Sequence, residues 1–196
     1  RQYVSDSFNY DTIIENYENR DKSKPYFAFN VTMQNHGGYN TSSANFNESI
    51  KITSSENSYD KANQYLSLVK ASDKAFKGLI EYFSTVSEPT VICMFGDHQP
   101  NIETEFIAEI LGVKNLSNLT PEQEQARHTT PFYIWANYDI EEKVIDKLSA
   151  NYLSSLDYDV CNYIIDYIPI INFPSYKGKI ISKRYLFKES LKQFNL

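Results

Sequence analysis

Three short apolar runs, at residues 26–33, Val91–Phe95 and 132–136, constrain the fold of this chain more than any other feature. Each follows a proline or a Glu-Pro-Thr step, and each is apolar on both faces. Such runs need cover on both faces, which predicts interior strands of a mainly parallel sheet flanked by helices. The intervening segments carry helical spacing. Phe8, Ile13, Ile14 and Tyr17 share one face of a helix. Tyr65, Leu68, Val69, Phe76, Leu79, Ile80 and Phe83 share a face of a longer one. Ile140, Val144, Ile145 and Leu148 predict a further helix, and Ile164, Ile165 and Ile168 another. Residues 177–187 alternate around Gly178 and predict an antiparallel edge hairpin. Strands alternating with helices give an α/β fold. With 196 residues, 41% of them hydrophobic, the chain can bury one domain-sized core, and no internal repeat or boundary is visible. The polar stretch from Gly37 to Asp60 predicts a functional surface loop.

The formal net charge of −6, without a basic cluster, argues against a nucleic-acid partner. No run reaches the ~18 apolar residues of a membrane span. Cys93 and Cys161 lie inside apolar runs and read as small core residues, as does Trp135.

In open α/β sheets, ligands bind beyond the carboxyl ends of strands. Two of the predicted strands run directly into a histidine. One leads to Gln34-Asn35-His36-Gly37-Gly38, the other to Gly96-Asp97-His98-Gln99. Asp97 and His98 offer an oxygen and a nitrogen ligand on adjacent backbone, a set that suits Mn²⁺, Mg²⁺ or Zn²⁺ better than soft metals. Gly96 would let the chain turn so that both face one site. The competing reading makes Asp97 a helix cap and His98 a loop residue. His36 could donate to a phosphoryl oxygen, or be a turn residue in a glycine-rich exit. On these placements His36, Asp97 and His98 converge at one sheet edge. His128, Thr129 and Thr130 precede a strand and would lie at the opposite end, while Thr32 would be buried.

Three motifs in order carry a resemblance to a known family. They are Phe29-Asn30-Val31-Thr32-Met33-Gln34-Asn35-His36-Gly37-Gly38-Tyr39, Phe95-Gly96-Asp97-His98-Gln99-Pro100, and Thr130-Pro131-Phe132-Tyr133-Ile134-Trp135-Ala136-Asn137-Tyr138. Together they resemble the bacterial lipoteichoic acid synthases, phosphoglycerol transferases of the sulfatase and alkaline phosphatase superfamily. The resemblance implies an alkaline-phosphatase-like fold, with Asp97 and His98 as metal ligands and His36 on the substrate phosphoryl group. It also implies a threonine nucleophile that attacks a phosphatidylglycerol-type lipid and passes glycerophosphate to a growing polymer. In that family the nucleophile, an acidic metal ligand and the membrane helices precede the Asn-His step, and nothing in residues 1–35 resembles the nucleophile segment. The expectation is therefore the C-terminal part of a catalytic domain whose full-length protein works at the outer face of the bacterial cytoplasmic membrane. By itself the chain is expected to be inactive and to bind metal weakly. A sulfatase or phosphodiesterase of the same superfamily remains an alternative, as does a noncatalytic α/β module that binds cell-wall polymer.

Overall fold

The computed structural model describes residues 2–39, 45–156 and 175–181. The chain forms two compact units: Arg1–Tyr82 with Pro100–Ser117, and Phe83–Gln99 with Asn118–Leu196.

The first unit is built on two helices, α1 (Asp6–Glu18) and α2 (Asp60–Ser84), the last turn of α2 passing into the second unit. Both match the helical spacing in the sequence. Ser5 caps α1, its hydroxyl accepting from the Phe8 amide at 3.2 Å. The cap of α2 comes from far along the chain. The Glu103 carboxylate accepts from the amides of Lys61 (2.7 Å) and Ala62 (3.0 Å), putting negative charge at the positive end of the helix dipole. A short helix, α3 (Thr104–Ile110), follows Glu103. Tyr39, Tyr59, Ala62, Leu68 and Ile102 form the core, with Phe46, Ile52 and Phe106 packed against it. The expected surface loop is strapped to α2 in its described part. Ser67 Oγ accepts from the amides of Ser49 and Ile50, and Asn63 Oδ1 accepts from that of Ile52. Those bonds account for the burial of Asn63 and Ser67.

The second unit holds a four-stranded sheet in the order β1-β2-β4-β3, with β1 at Val91–Phe95, β2 at Thr130–Ala136, β3 at Lys143–Ser149 and β4 at Ser175–Ile181. A short helix, α4 (Pro121–Ala126), precedes β2 and is closed by a capping box between Thr120 and Gln123. Along β2, Phe132 and Ile134 enter a core with Leu153, Cys93, Ile145 and Leu148, while Trp135 is buried on the other face. The two-sided apolar pattern of this strand, and core roles for Cys93 and Trp135, follow as the sequence predicts. Cys161 lies outside the described residues.

Four expectations need correction. Among the described residues the sheet is mixed rather than mainly parallel: β1 pairs antiparallel with β2 and β3 with β4, while β2 pairs parallel with β4. Two-sided burial reports cover, not the direction of the neighbouring strand. Residues 26–33 form no strand among the described residues, and Phe27 and Phe29 are each 70% exposed. The predicted helix around residues 140–148 is largely strand β3, and a register shift between Ile145 and Leu148 explains the error. Three residues apart, these side chains would point to opposite faces of a regular strand. The bulge turns both toward the core, and the resulting spacing imitates a helix. Finally, residues 175–181 form an interior strand instead of an edge hairpin; residues 182–187 and the helix predicted around Ile164–Ile168 lie outside the described residues.

Candidate functional site

The antiparallel pairing of β1 and β2 decides what surrounds the Gly-Asp-His step. Phe95 is opposite Phe132, so the chain leaving β1 runs beside the chain entering β2. The Gly96 amide donates to the Pro131 carbonyl at 3.0 Å, and Thr130 Oγ1 donates to the Gly96 carbonyl at 2.8 Å. Gln99 Nε2 donates to the Thr129 carbonyl. Thr129 and Thr130 are therefore at the same end of the sheet as Asp97 and His98, which corrects their expected placement. His128 enters the same corner, with Nε2 3.2 Å from Glu124 Oε1. Neither threonine hydroxyl is poised as a nucleophile. Thr130 is buried with its proton on Gly96, and Thr129 Oγ1 donates to the Gln125 carbonyl at 2.8 Å.

Gly96 serves a different purpose from the one expected. A Cβ there would stand 3.2 Å from Thr130 Cβ and 3.6 Å from its Cγ2, so close approach of β2, not a sharp turn, requires glycine. Gly96→Ala is expected to destabilise the second unit by about 1–3 kcal/mol, since Thr130 is held by its neighbours and cannot retreat freely. Chemical denaturation would measure it, and a change below about 0.5 kcal/mol would show that the strand entry yields.

Beyond Gly96 the two candidate ligands are exposed and face each other. Asp97 Oδ1 accepts from the His98 amide at 2.9 Å, and Oδ2 lies 3.4 Å from His98 Nε2. Asp97 caps no helix, because the next one begins at Thr104. On the other side of the imidazole, Nδ1 is 2.8 Å from the Gln99 carbonyl. A carbonyl can only accept, so Nδ1 holds the proton of the neutral ring and Nε2 keeps its lone pair. A lone pair and a carboxylate oxygen 3.4 Å apart are favoured by a cation or a proton shared between them. An N–H held by a backbone carbonyl behind a ligating nitrogen is the usual support of a metal-bound histidine. The donor set thus fits part of the shell of a hard or borderline divalent cation. Among the described residues no group of three or more His, Cys, Asp or Glu side chains could hold a metal ion.

His36 belongs to the first unit and does not follow a strand. Its amide donates to the Met33 carbonyl at 3.1 Å and its ring stands 5.1 Å from that of Tyr3, yet the side chain stays exposed. Gly38 has φ 90°, a conformation that favours glycine at this exit. Thr32 is exposed, contrary to the expected burial. The residues just before His36 are held by a network that sequence reasoning missed. Gln34 and Asn35 reach Asp6 in α1 and Ser72 in α2, separations of 28 to 38 residues that leave no local signal.

Asp6 in that network is 2% exposed, and burial pushes its carboxyl above the ordinary value of 3.8, more than the Ser72 and Gln34 hydrogen bonds lower it. A raised folded value means that the contribution to stability is fully present below pH 3.8 and is lost as pH rises through the folded value. Asp6→Asn cannot titrate. Its melting temperature relative to the native chain is therefore expected to climb across that window and level off above it. A difference independent of pH from 3 to about 8 would contradict the assignment.

Comparison with known proteins places these motifs in a family. The sequence profile of the family described as Sulfatase matches residues 1–158. A protein of Rhizobium meliloti (strain 1021), named for cyclic beta-1,2-glucan modification, is 30% identical over 134 residues. That match takes in 66% of this chain and spans 21% of the relative's length. No solved structure gives a significant match. Among the described residues no helix is long and apolar enough to cross a membrane.

Proposed function

Because the chain belongs to the sulfatase family, whose superfamily has an alkaline-phosphatase-like α/β fold and uses divalent metal ions, we propose that it is part of a phosphoglycerol transferase. Its donor would be a phosphatidylglycerol-type phosphodiester and its acceptor a glycerophosphate or glucan-like polymer of the cell envelope. The whole enzyme would work at the outer face of the bacterial cytoplasmic membrane, anchored by membrane helices outside this sequence. The observation that carries the proposal is the facing pair of Asp97 Oδ2 and His98 Nε2 on a strand end, with Nδ1–H held by Gln99. The order of the three motifs favours the phosphoglycerol branch, and the relative named for glucan modification fits a polymeric acceptor.

Asp97 and His98 would supply two ligands to a Mn²⁺ or Mg²⁺ ion, which when bound would lower a nucleophile's pKa and offset charge on the phosphoryl oxygens. Gln99 keeps the imidazole in the tautomer that presents Nε2. His36, on its exposed turn, would donate a hydrogen bond to a non-bridging oxygen of the substrate. The nucleophile is taken to be a threonine in a segment ahead of Arg1, in keeping with the engaged hydroxyls of Thr129 and Thr130. This chain by itself is then expected to leave phosphodiesters intact.

The family description keeps a sulfatase or phosphodiesterase in view as the alternative. The test is the full-length protein in vesicles of labelled phosphatidylglycerol with Mn²⁺, and p-nitrophenyl sulfate in parallel. Diacylglycerol release that stops with a chelator is the expected result. Sulfate-ester turnover without lipid turnover would transfer the assignment to the sulfatases. Polymer binding without either turnover would make the chain a noncatalytic module.

A further inference from the structure

We propose that Asp6 and Ser72 are positioning residues, which hold the Gln34-Asn35 step and so fix how the exposed His36 is presented to substrate. The inference rests on the reading in which His36 contacts the transferred group. Its basis is a closed hydrogen-bond circuit that joins α1, α2 and the Gln34-Asn35 step. The Asp6 amide can only donate, so Gln34 must turn its oxygen toward it, at 3.1 Å. That orientation sends Gln34 Nε2 to Ser72 Oγ at 2.9 Å, with the Leu68 carbonyl 3.4 Å away. Asn35 Nδ2 also donates to Ser72 Oγ, again at 2.9 Å. Both lone pairs of the hydroxyl are then occupied, and of the two acceptors within reach of its single proton Asp6 Oδ2, at 2.5 Å, is nearer than Asn35 Oδ1, at 3.2 Å. Asp6 thus closes the circuit at both ends, its amide orienting Gln34 and its carboxylate taking the shorter bond from Ser72.

The turn is clamped from its other side as well. Tyr39, itself buried, donates its hydroxyl to the Asn35 carbonyl at 2.6 Å, and the Tyr3 ring lies against the imidazole. Both residues before His36 are locked while the His36 side chain remains exposed. Apolar side chains could have filled the same interior without burying a carboxyl, whose Oδ1 has no hydrogen-bond partner among the described residues. The energetic cost is concentrated where it orients one short segment.

The test is amide hydrogen exchange and imidazole resonances of His36, followed by NMR in the 196-residue chain. Ser72→Ala strands both amide donors. It should speed exchange of the His36 amide about tenfold and shift the imidazole resonances, while Ile80, further along α2, keeps its native rate. Ser72→Thr, which restores the hydroxyl, should restore both. An unchanged His36 in Ser72→Ala would overturn the proposal, as would Thr failing to rescue it. Should Ser72→Ala unfold the unit, Asp6→Asn is compared instead. It keeps the volume and weakens only the carboxylate acceptor, and an unaltered His36 there would be equally fatal. In the full-length enzyme, Ser72→Ala should lower kcat for the lipid about tenfold with KM within roughly twofold, again rescued by Ser72→Thr. Full activity in His36→Ala would defeat the functional reading of His36, while the exchange result would still report whether the circuit positions it.

Discussion

Asp97→Ala in the full-length enzyme is expected to reduce turnover at least about 10³-fold while leaving the fold intact. The two halves of that expectation have separate grounds. Asp97 has a side chain 79% exposed, and its bonds run only to its neighbour His98, so truncation opens no cavity. Stability should change by less than about 0.5 kcal/mol. What is lost is an anionic oxygen beside His98 Nε2, and with it a proposed metal ligand. Bound metal, measured by elemental analysis after gel filtration, should fall together with diacylglycerol release. His36→Ala provides the contrast: it should keep the metal and lose activity, because the proposed role of His36 is toward substrate. An Asp97→Ala enzyme that retains metal and turnover would remove the ligand assignment and the observation on which the function rests.

Asn137→Ala is expected to cost about 3 kcal/mol, a fall of roughly 6–12 °C in Tm for a chain of this size. The side chain lies just past the end of β2 and is 9% exposed. Its Oδ1 accepts from the Thr90 amide at 2.8 Å, and its Nδ2 faces the carbonyls of Phe83, Val86 and Glu88 at 3.3, 2.9 and 2.8 Å. One amide therefore joins the last turn of α2, the loop after it, the start of β1 and the end of β2. Alanine would leave an amide and several carbonyls without their partner in a space too closed for easy hydration. Asn137→Asp should be at least as damaging, since it keeps the acceptor for Thr90 but sets an anion against three carbonyl oxygens. Thermal and urea denaturation would measure both. A loss under about 1 kcal/mol for alanine would mean that water replaces the amide. This asparagine belongs to the third of the motifs that carry the resemblance, and its geometry accounts for it by folding rather than by chemistry.

The sequence by itself determined the helices α1 and α2, the burial of β2 on both faces, the adjacency of Asp97 and His98 and the sulfatase superfamily. Each is a local property: a helix face, an apolar run or a motif is complete within a few residues. Tertiary structure alone decided the rest. An apolar strand demands cover but does not say which way its neighbour runs, so the antiparallel approach of β2 to β1, and with it the company of Thr129 and Thr130 beside Gly96, was not legible. The bulge in β3 exists only in register with β4, and without that partner Ile145 and Leu148 keep the spacing of a helix. Gln34 and Asn35 read as part of a strand exit because their partners, Asp6 and Ser72, are fixed by the packing of α1 and α2 rather than by neighbouring sequence. Hydrogen bonds that close over such separations depend on where the chain returns, and short-range periodicity carries no record of that return.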